Sequence, residues 1–286
     1  MASRSDRKSS SRPDLATLGG LLLAAGGILG GLTLEGGKLT DIAQVTALMI
    51  VLGGTLGAVM VTTPLQTLLR AAKSLGAVFL ERVESPEQVI EEIISYATKA
   101  RKNSIISLES DLERIEDPFL RKAISLSVDG TDLQDLRKMM ELDLSLQQRS
   151  GEATAKVYEA AGGYAPTIGI IGAVLGLIQV MKHLENIEEV GRGIAVAFVA
   201  TVYGVASANL FFLPVANKIK ARLQHTLHVK ELMLEGVCSI VEGLNPKLIR
   251  VKLEAFAEQE APAAQKAAAQ SGTARQPAAA QGKAHA

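Results

Sequence analysis

The chain has no tryptophan, a single cysteine and few aromatics, with six Phe and four Tyr in 286 residues. One thiol, Cys238, excludes a disulfide framework within the chain. It falls in a helical-looking stretch and reads as a small packed hydrophobe. The shortage of Trp and Tyr leaves the interfacial aromatic belt of many membrane proteins weak. The most informative absence is of charge. Residues 15–34, 42–63 and 193–217 hold no Asp, Glu, Lys, Arg or His, and residues 162–181 hold no ionisable side chain except Tyr164. All 30 Lys and Arg and all 30 Asp and Glu lie outside these windows, so a net charge of zero conceals strong segregation.

A bilayer core requires about 20 apolar residues per crossing helix. A charge near its centre costs about 2.5–3.5 kcal/mol. Four windows satisfy both conditions. This favours an all-α, polytopic membrane protein with four transmembrane helices and a helical cytoplasmic domain over a soluble protein with buried core helices. Arg4, Arg7, Lys8 and Arg12 before the first window imitate a signal-peptide n-region. However, the apolar run is too long for one, and no small-residue cleavage site follows cleanly, so it is read as a retained span.

Positive charge sets the orientation. The four basic residues before span one, Arg70 and Lys73 after span two, and Lys218, Lys220 and Arg222 after span four mark the cytoplasmic side. The short connections are acid-rich, with Glu35 and Asp41 against Lys38, and Glu185, Glu188 and Glu189 against Lys182 and Arg192. Both termini are therefore expected in the cytoplasm. The organisation is a cytoplasmic segment 1–14, spans one and two within 15–63, and a cytoplasmic helical domain 64–161. Spans three and four follow within 162–217, then cytoplasmic C-terminal helices 218–261 and a disordered tail 262–286 lacking large apolar residues.

Ser85-Pro86-Glu87-Gln88 has the pattern of a capping box with Pro at the first helical position, and Ile90, Ile93, Ile94 and Ala97 follow at helical spacing. Further helices are expected at 109–114, 118–128 and 132–161, the last two separated by Asp129-Gly130-Thr131. Beyond span four a helix runs over 218–242, with Asn245-Pro246 ending it. Gly26 and Gly30, Gly27 and Gly31, Gly53 and Gly57, and Gly172 and Gly176 form small-xxx-small pairs that permit close helix approach. Any single pair reads as packing within the chain. Recurrence over several spans points to association between copies.

Enzyme signatures are missing. His183-Leu184-Glu185 lacks the second His of a zinc-protease helix, and neither a nucleophile elbow nor a Walker loop occurs. His225 and His228, one helical turn apart, read as surface residues without further ligands. No catalytic, metal or cofactor site is expected. Pro166 has more chemical content. If the helix of the cytoplasmic domain runs on into span three, Pro166 deprives the Gly162 carbonyl of its donor. A freed carbonyl inside a membrane must be buried in protein or wetted. Thr167 lies beside it, with Thr201 and Tyr203 on span four. The other reading is a helix-start proline with hydroxyls bonded back to their own backbone; the residues alone fit both. Pro214 similarly frees the Leu210 carbonyl.

These residues resemble the flagellar motor stator subunit family of MotA and PomA, related to the ExbB and TolQ energisers. The resemblance runs from residue 15 to about 256. It is carried by Tyr164-Ala-Pro-Thr-Ile-Gly-Ile-Ile-Gly-Ala-Val-Leu-Gly176, by Ala195-Val-Ala-Phe-Val-Ala-Thr-Val-Tyr-Gly204 and by Ala100-Arg-Lys-Asn-Ser-Ile-Ile-Ser-Leu-Glu109. It implies a ring-forming subunit of the bacterial inner membrane, a pentamer, with a single-span MotB- or PomB-type partner supplying the ion-binding Asp. Pro166, Thr167, Thr201, Tyr203 and Pro214 would then belong to the ion pathway and its coupling. Arg101, Lys102, Glu109 and Asp143 would engage the rotor protein FliG. The family often has Gly between that Arg and Glu, where this chain has Asn103-Ser104. Ala200 before Thr201 is similar to proton-type relatives, so H+ is expected as the translocated ion, with Na+ the alternative. Membrane lipid surrounds such a protein, and no nucleic-acid partner is implied. The alternative is an ExbB- or TolQ-like energiser of an envelope protein, although those relatives lack the extra N-terminal span.

Overall fold

A computed structural model describes residues 12–81 and 85–260. The basic segment before residue 12 and the tail after 260 lie outside the described residues. In chain order the elements are β1 (Arg12–Pro13), α1 (Leu15–Leu34), α2 (Leu39–Ile42), α3 (Val45–Leu48), a π turn (Met49–Gly53), α4 (Gly54–Thr62), α5 (Leu65–Phe79) and β2 (Leu80–Glu81). Then come α6 (Pro86–Asn103), a 3-10 segment (Ile105–Arg114), α7 (Pro118–Val128), α8 (Leu133–Lys182) and α9 (Ile187–Ala206). A second π turn (Ser207–Phe212), α10 (Leu213–Val241) and α11 (Pro246–Glu260) complete the chain. The fold is helical apart from β1 and β2, which pair antiparallel with Arg12 opposite Glu81. The described residues form two compact units, 12–81 with 143–227 and 85–142 with 228–260.

Among the described residues, four helices are long and apolar enough to cross a membrane, two of them wholly and two mostly in the first unit. Asp14 caps α1, its carboxylate accepting from the Thr17 amide at 3.1 Å. It also pairs with Lys218 and, at 3.3 Å, with Arg222. The Lys218 hydrogen bond holds the Asp14 carboxyl well below the usual carboxylate range. No residue of the apolar window of span one is fully buried. Its glycines, like Gly53 and Gly57 of span two, would meet nothing within 4 Å if given a Cβ, whereas Gly172 and Gly176 are packed within the chain. Of the small-residue pairs, only the one on span three is thus explained by intrachain packing.

Span two, expected over 42–63, runs as one helical stretch from Val45 to Thr62 that contains a π turn. The backbone breaks at Ala43-Gln44, before α3, and widens into the π turn before α4. The break is tolerated because the Tyr203 hydroxyl donates to the Ile42 carbonyl and accepts from the Gln44 amide at 3.3 Å. Irregular backbone at membrane depth requires such internal partners. Thr63 is extended before Pro64, as a residue preceding proline should be. Further along, Tyr158 donates to the Ala71 carbonyl at 2.7 Å and fixes α5 against α8.

In the second unit, Ser85 accepts from the Gln88 amide at 3.4 Å and Pro86 opens α6. Its core holds Ile93, Leu108, Leu120, Leu232 and Leu253, each at most 1% exposed, and Cys238 is fully buried. The helix expected at 109–114 is a 3-10 segment that begins earlier, at Ile105. The stop expected at Asn245-Pro246 is also placed differently. Gly243, at φ +74, ends the preceding helix, and Asn245 accepts from the Lys247 amide at 3.1 Å to start α11. Asn-Pro serves as a cap and first turn, which is what a short polar residue before a helical proline can do. Arg250 clamps α11 to Glu91 of α6 at 2.5 and 2.8 Å. Glu235 accepts from Arg137 at 3.0 Å and pairs with Lys252. Burial raises the Glu235 pKa, but these two cations outweigh it and the net shift is downward. His228 is half-buried and stacks on Phe256, ring centroids 4.8 Å apart, rather than lying free on the surface.

Candidate functional site

Pro166 lies inside one continuous helix, α8, so it leaves the Gly162 carbonyl without the usual amide donor. The turn that carries it is pressed against span four through glycine. A Cβ on Gly204 would stand 2.6 Å from the Ala165 carbonyl oxygen and 3.3 Å from the Pro166 Cα. Deeper along the same seam, a Cβ on Gly169 would be 2.9 Å from the Ala200 carbonyl, and one on Gly176 2.8 Å from the Gly193 carbonyl. At these positions the two backbones are in direct contact, with no side chain between them.

The hydroxyls around Pro166 are bonded locally. Thr167, exposed, donates to the Tyr164 carbonyl at 2.8 Å, and Thr201, half-buried, to the Ala197 carbonyl at 3.2 Å. Such back-bonds leave the oxygen lone pairs able to accept a further donor or face a cation. Tyr203 is committed to the span-two break, a connection no sequence pattern announces. Pro214 is exposed in the first turn of α10, directly after the second π turn. Its missing amide coincides with a ladder already slipped there to i→i+5 spacing, with Leu213 bonded to the Ala208 carbonyl.

Arg101 and Lys102 are exposed in the last turn of α6, and Glu109 is exposed on the 3-10 segment, all in the second unit. Between them, Ser104 adopts φ +71, a region that favours glycine. The two segments are tied across this turn by Lys99 and Asp111, 2.6 Å apart. Asp143 is half-buried on the part of α8 belonging to the first unit. No group of three potential metal ligands occurs among the described residues.

Two family models match the chain: the motility protein A N-terminal region over residues 18–103, and the MotA/TolQ/ExbB proton channel family over residues 111–232. Motility protein A of Bacillus subtilis is 33% identical over 241 residues, covering 84% of this chain and 89% of that protein. Motility protein A of Helicobacter pylori is 35% identical over 240 residues, covering 84% and 93%. A solved structure described as C. jejuni MotAB superposes with a TM-score of 0.82 at 31% identity, covering 87% of this chain and 98% of that one. The N-terminal match includes the first span, the feature that separates the stator subunits from the three-span energisers. With four charge-free spans and this coverage, the chain belongs to the motility protein A branch of the MotA/TolQ/ExbB proton channel family.

Proposed function

We propose that this chain is the ring-forming subunit of a flagellar stator in the inner membrane, with both termini in the cytoplasm. It conducts protons together with a single-span partner and converts the flow into torque on a rotor. The observation that carries this reading is the charge-free seam. Spans three and four supply an interrupted backbone at Pro166, tight glycine contact and hydroxyls, but no carboxylate to hold a travelling ion. A single-span partner of the MotB type would bring that acid, and several copies of this chain, a pentamer, would surround it.

In this mechanism Pro166 is the hinge. Protonation of the partner's carboxylate removes a charge from beside the span-three turn. The turn relaxes, and because Gly204 and Gly169 leave no slack, span four follows. Thr201 faces the ion path, and Pro214 absorbs the bend where α10 leaves the membrane. Arg101, Lys102 and Glu109 meet a rotor protein of the FliG kind. A charge crossing 100 mV releases about 2.3 kcal/mol, whereas an exposed ion pair is worth about 0–1 kcal/mol. One transit can therefore remake one or a few rotor contacts, and weak pairing is what repeated stepping requires. Complementing a stator-deletion strain with this gene and its partner tests the reading. Motility that follows the proton gradient and survives sodium depletion is expected. Motility that requires sodium would reverse the ion assignment, and none at all would remove the function.

A further inference from the structure

Span two buries one stripe at four-residue spacing: Ala47, Val51, Thr55 and Val59 are 0%, 0%, 0% and 3% exposed. Thr55 is its one polar member, and its Oγ1 has no hydrogen-bond partner. That is unusual, because a helical threonine ordinarily bonds the carbonyl one turn back, as Thr62 does to Ala58 at 3.2 Å. The preceding turn explains the difference. It is the π turn Met49–Gly53, and the Gly54 amide already reaches both the Ile50 and Val51 carbonyls.

Thr55 stands at the level of the hinge. A Cβ on its neighbour Gly54 would lie 2.7 Å from Cγ2 of Ile168, two residues beyond Pro166. Val51 packs with Val199 and Ala200, and Val59 packs with Ala165 and Ala208. Thr55 lies between these two clusters on the same helix face. Valine would fill the same space without the cost of an unpartnered hydroxyl, so a hydroxyl here has value only in a state where it is used.

We propose that Thr55 is a positioning residue of the coupling step: its hydroxyl donates to a span-three backbone carbonyl of the Pro166 turn that swings out of the helical ladder when the hinge moves. This stabilises the moved state relative to the one described above, and it rests on the reading of Pro166 as the hinge of an ion-driven stator. The carbonyls near Pro166 suit the role because proline has already removed one donor from that turn.

The test uses the full chain in complex with its single-span partner, reconstituted in lipid vesicles, with proton flux and thermal melting measured together. Thr55→Val is expected to assemble and melt no lower than the parent, with flux reduced about fivefold, the factor one neutral hydrogen bond is worth. Thr55→Ser, which keeps the hydroxyl, is expected to retain most of the flux. Parental flux in Thr55→Val would overturn the proposal, as would an equal loss in Thr55→Ser, which would implicate the methyl group. Failure of Thr55→Val alone to assemble would assign the hydroxyl a structural role and also overturn it. A parent complex without flux would overturn the stator reading itself, and the inference with it.

Discussion

Ser104 holds a conformation at φ +71 that costs an L-residue about 1–3 kcal/mol. Glycine would adopt it freely, at an entropic cost of about 0.5–1 kcal/mol in the unfolded chain. Ser104→Gly is therefore expected to stabilise this turn by about 1 kcal/mol, read as slower hydrogen exchange between Lys99 and Asp111. Unchanged or faster exchange would show that the turn is unstrained. Gly204 presents the opposite case. Its substitution by Ala drives a methyl into the Ala165 carbonyl and should cost about 1–3 kcal/mol of seam packing. Gly191, which has open space around it, serves as the control. Motility is expected to fall sharply for Gly204→Ala and to persist for Gly191→Ala. At this scale the sequence singled out Pro166, because a proline lacks the helical amide wherever it falls, but left open whether it opens a helix or interrupts one. Arg101 and Glu109 were drawn from the family resemblance, since exposed charges carry no local signature of a contact. The sequence did not reveal the Tyr203–Ile42 bond or the orphan hydroxyl of Thr55, since both arise from residues brought together across different spans.

Among the elements, the single helix of residues 133–182 decides how Pro166 acts. A proline at a helix start would free nothing, whereas one in mid-helix weakens the ladder at a defined turn. Pro166→Leu restores a donor for the Gly162 carbonyl and stiffens that turn. Loss of motility with normal insertion and partner binding is expected, by swimming assay and co-purification. Full motility would remove the hinge. The docking of α11 is electrostatic as well as apolar, through Glu91–Arg250 and the Glu235 pairs. Both carboxyls are held below their ordinary value of 4.5 by their cation partners, Glu235 against an opposing effect of burial. Their contribution is therefore complete at neutral pH and lost only as acid carries the pH down through the lowered folded values. Trypsin sensitivity of α11 should stay flat from neutral pH to about 5 and rise in stronger acid. Release of α11 near neutrality would contradict these pairings. Hydropathy located all four spans because a membrane demands long uncharged runs. It missed the break and π turn of span two, since apolar composition does not register backbone irregularity that a distant Tyr satisfies. It likewise read Asn245-Pro246 as an end rather than a beginning.

For the whole molecule, the proposed mechanism divides labour between chains: this subunit would provide walls, hinge and rotor-facing charges, and its partner the acid. Reversing Arg101 and Glu109 together is expected to reduce swimming severalfold, as loss of weak exposed pairs of about 0–1 kcal/mol each would. Opposite charges on the rotor should partly rescue it. Undiminished torque would remove the contact assignment. The open space at the glycines of span one and at Gly53 and Gly57 accords with packing between copies. The most direct test of the central claim is proton flux into vesicles carrying this chain alone, with its single-span partner, and with a partner whose membrane-embedded carboxylate is replaced by its amide. Flux is predicted only in the second case. Conduction by the chain alone, or persistence of flux after the carboxylate is neutralised, would contradict the account.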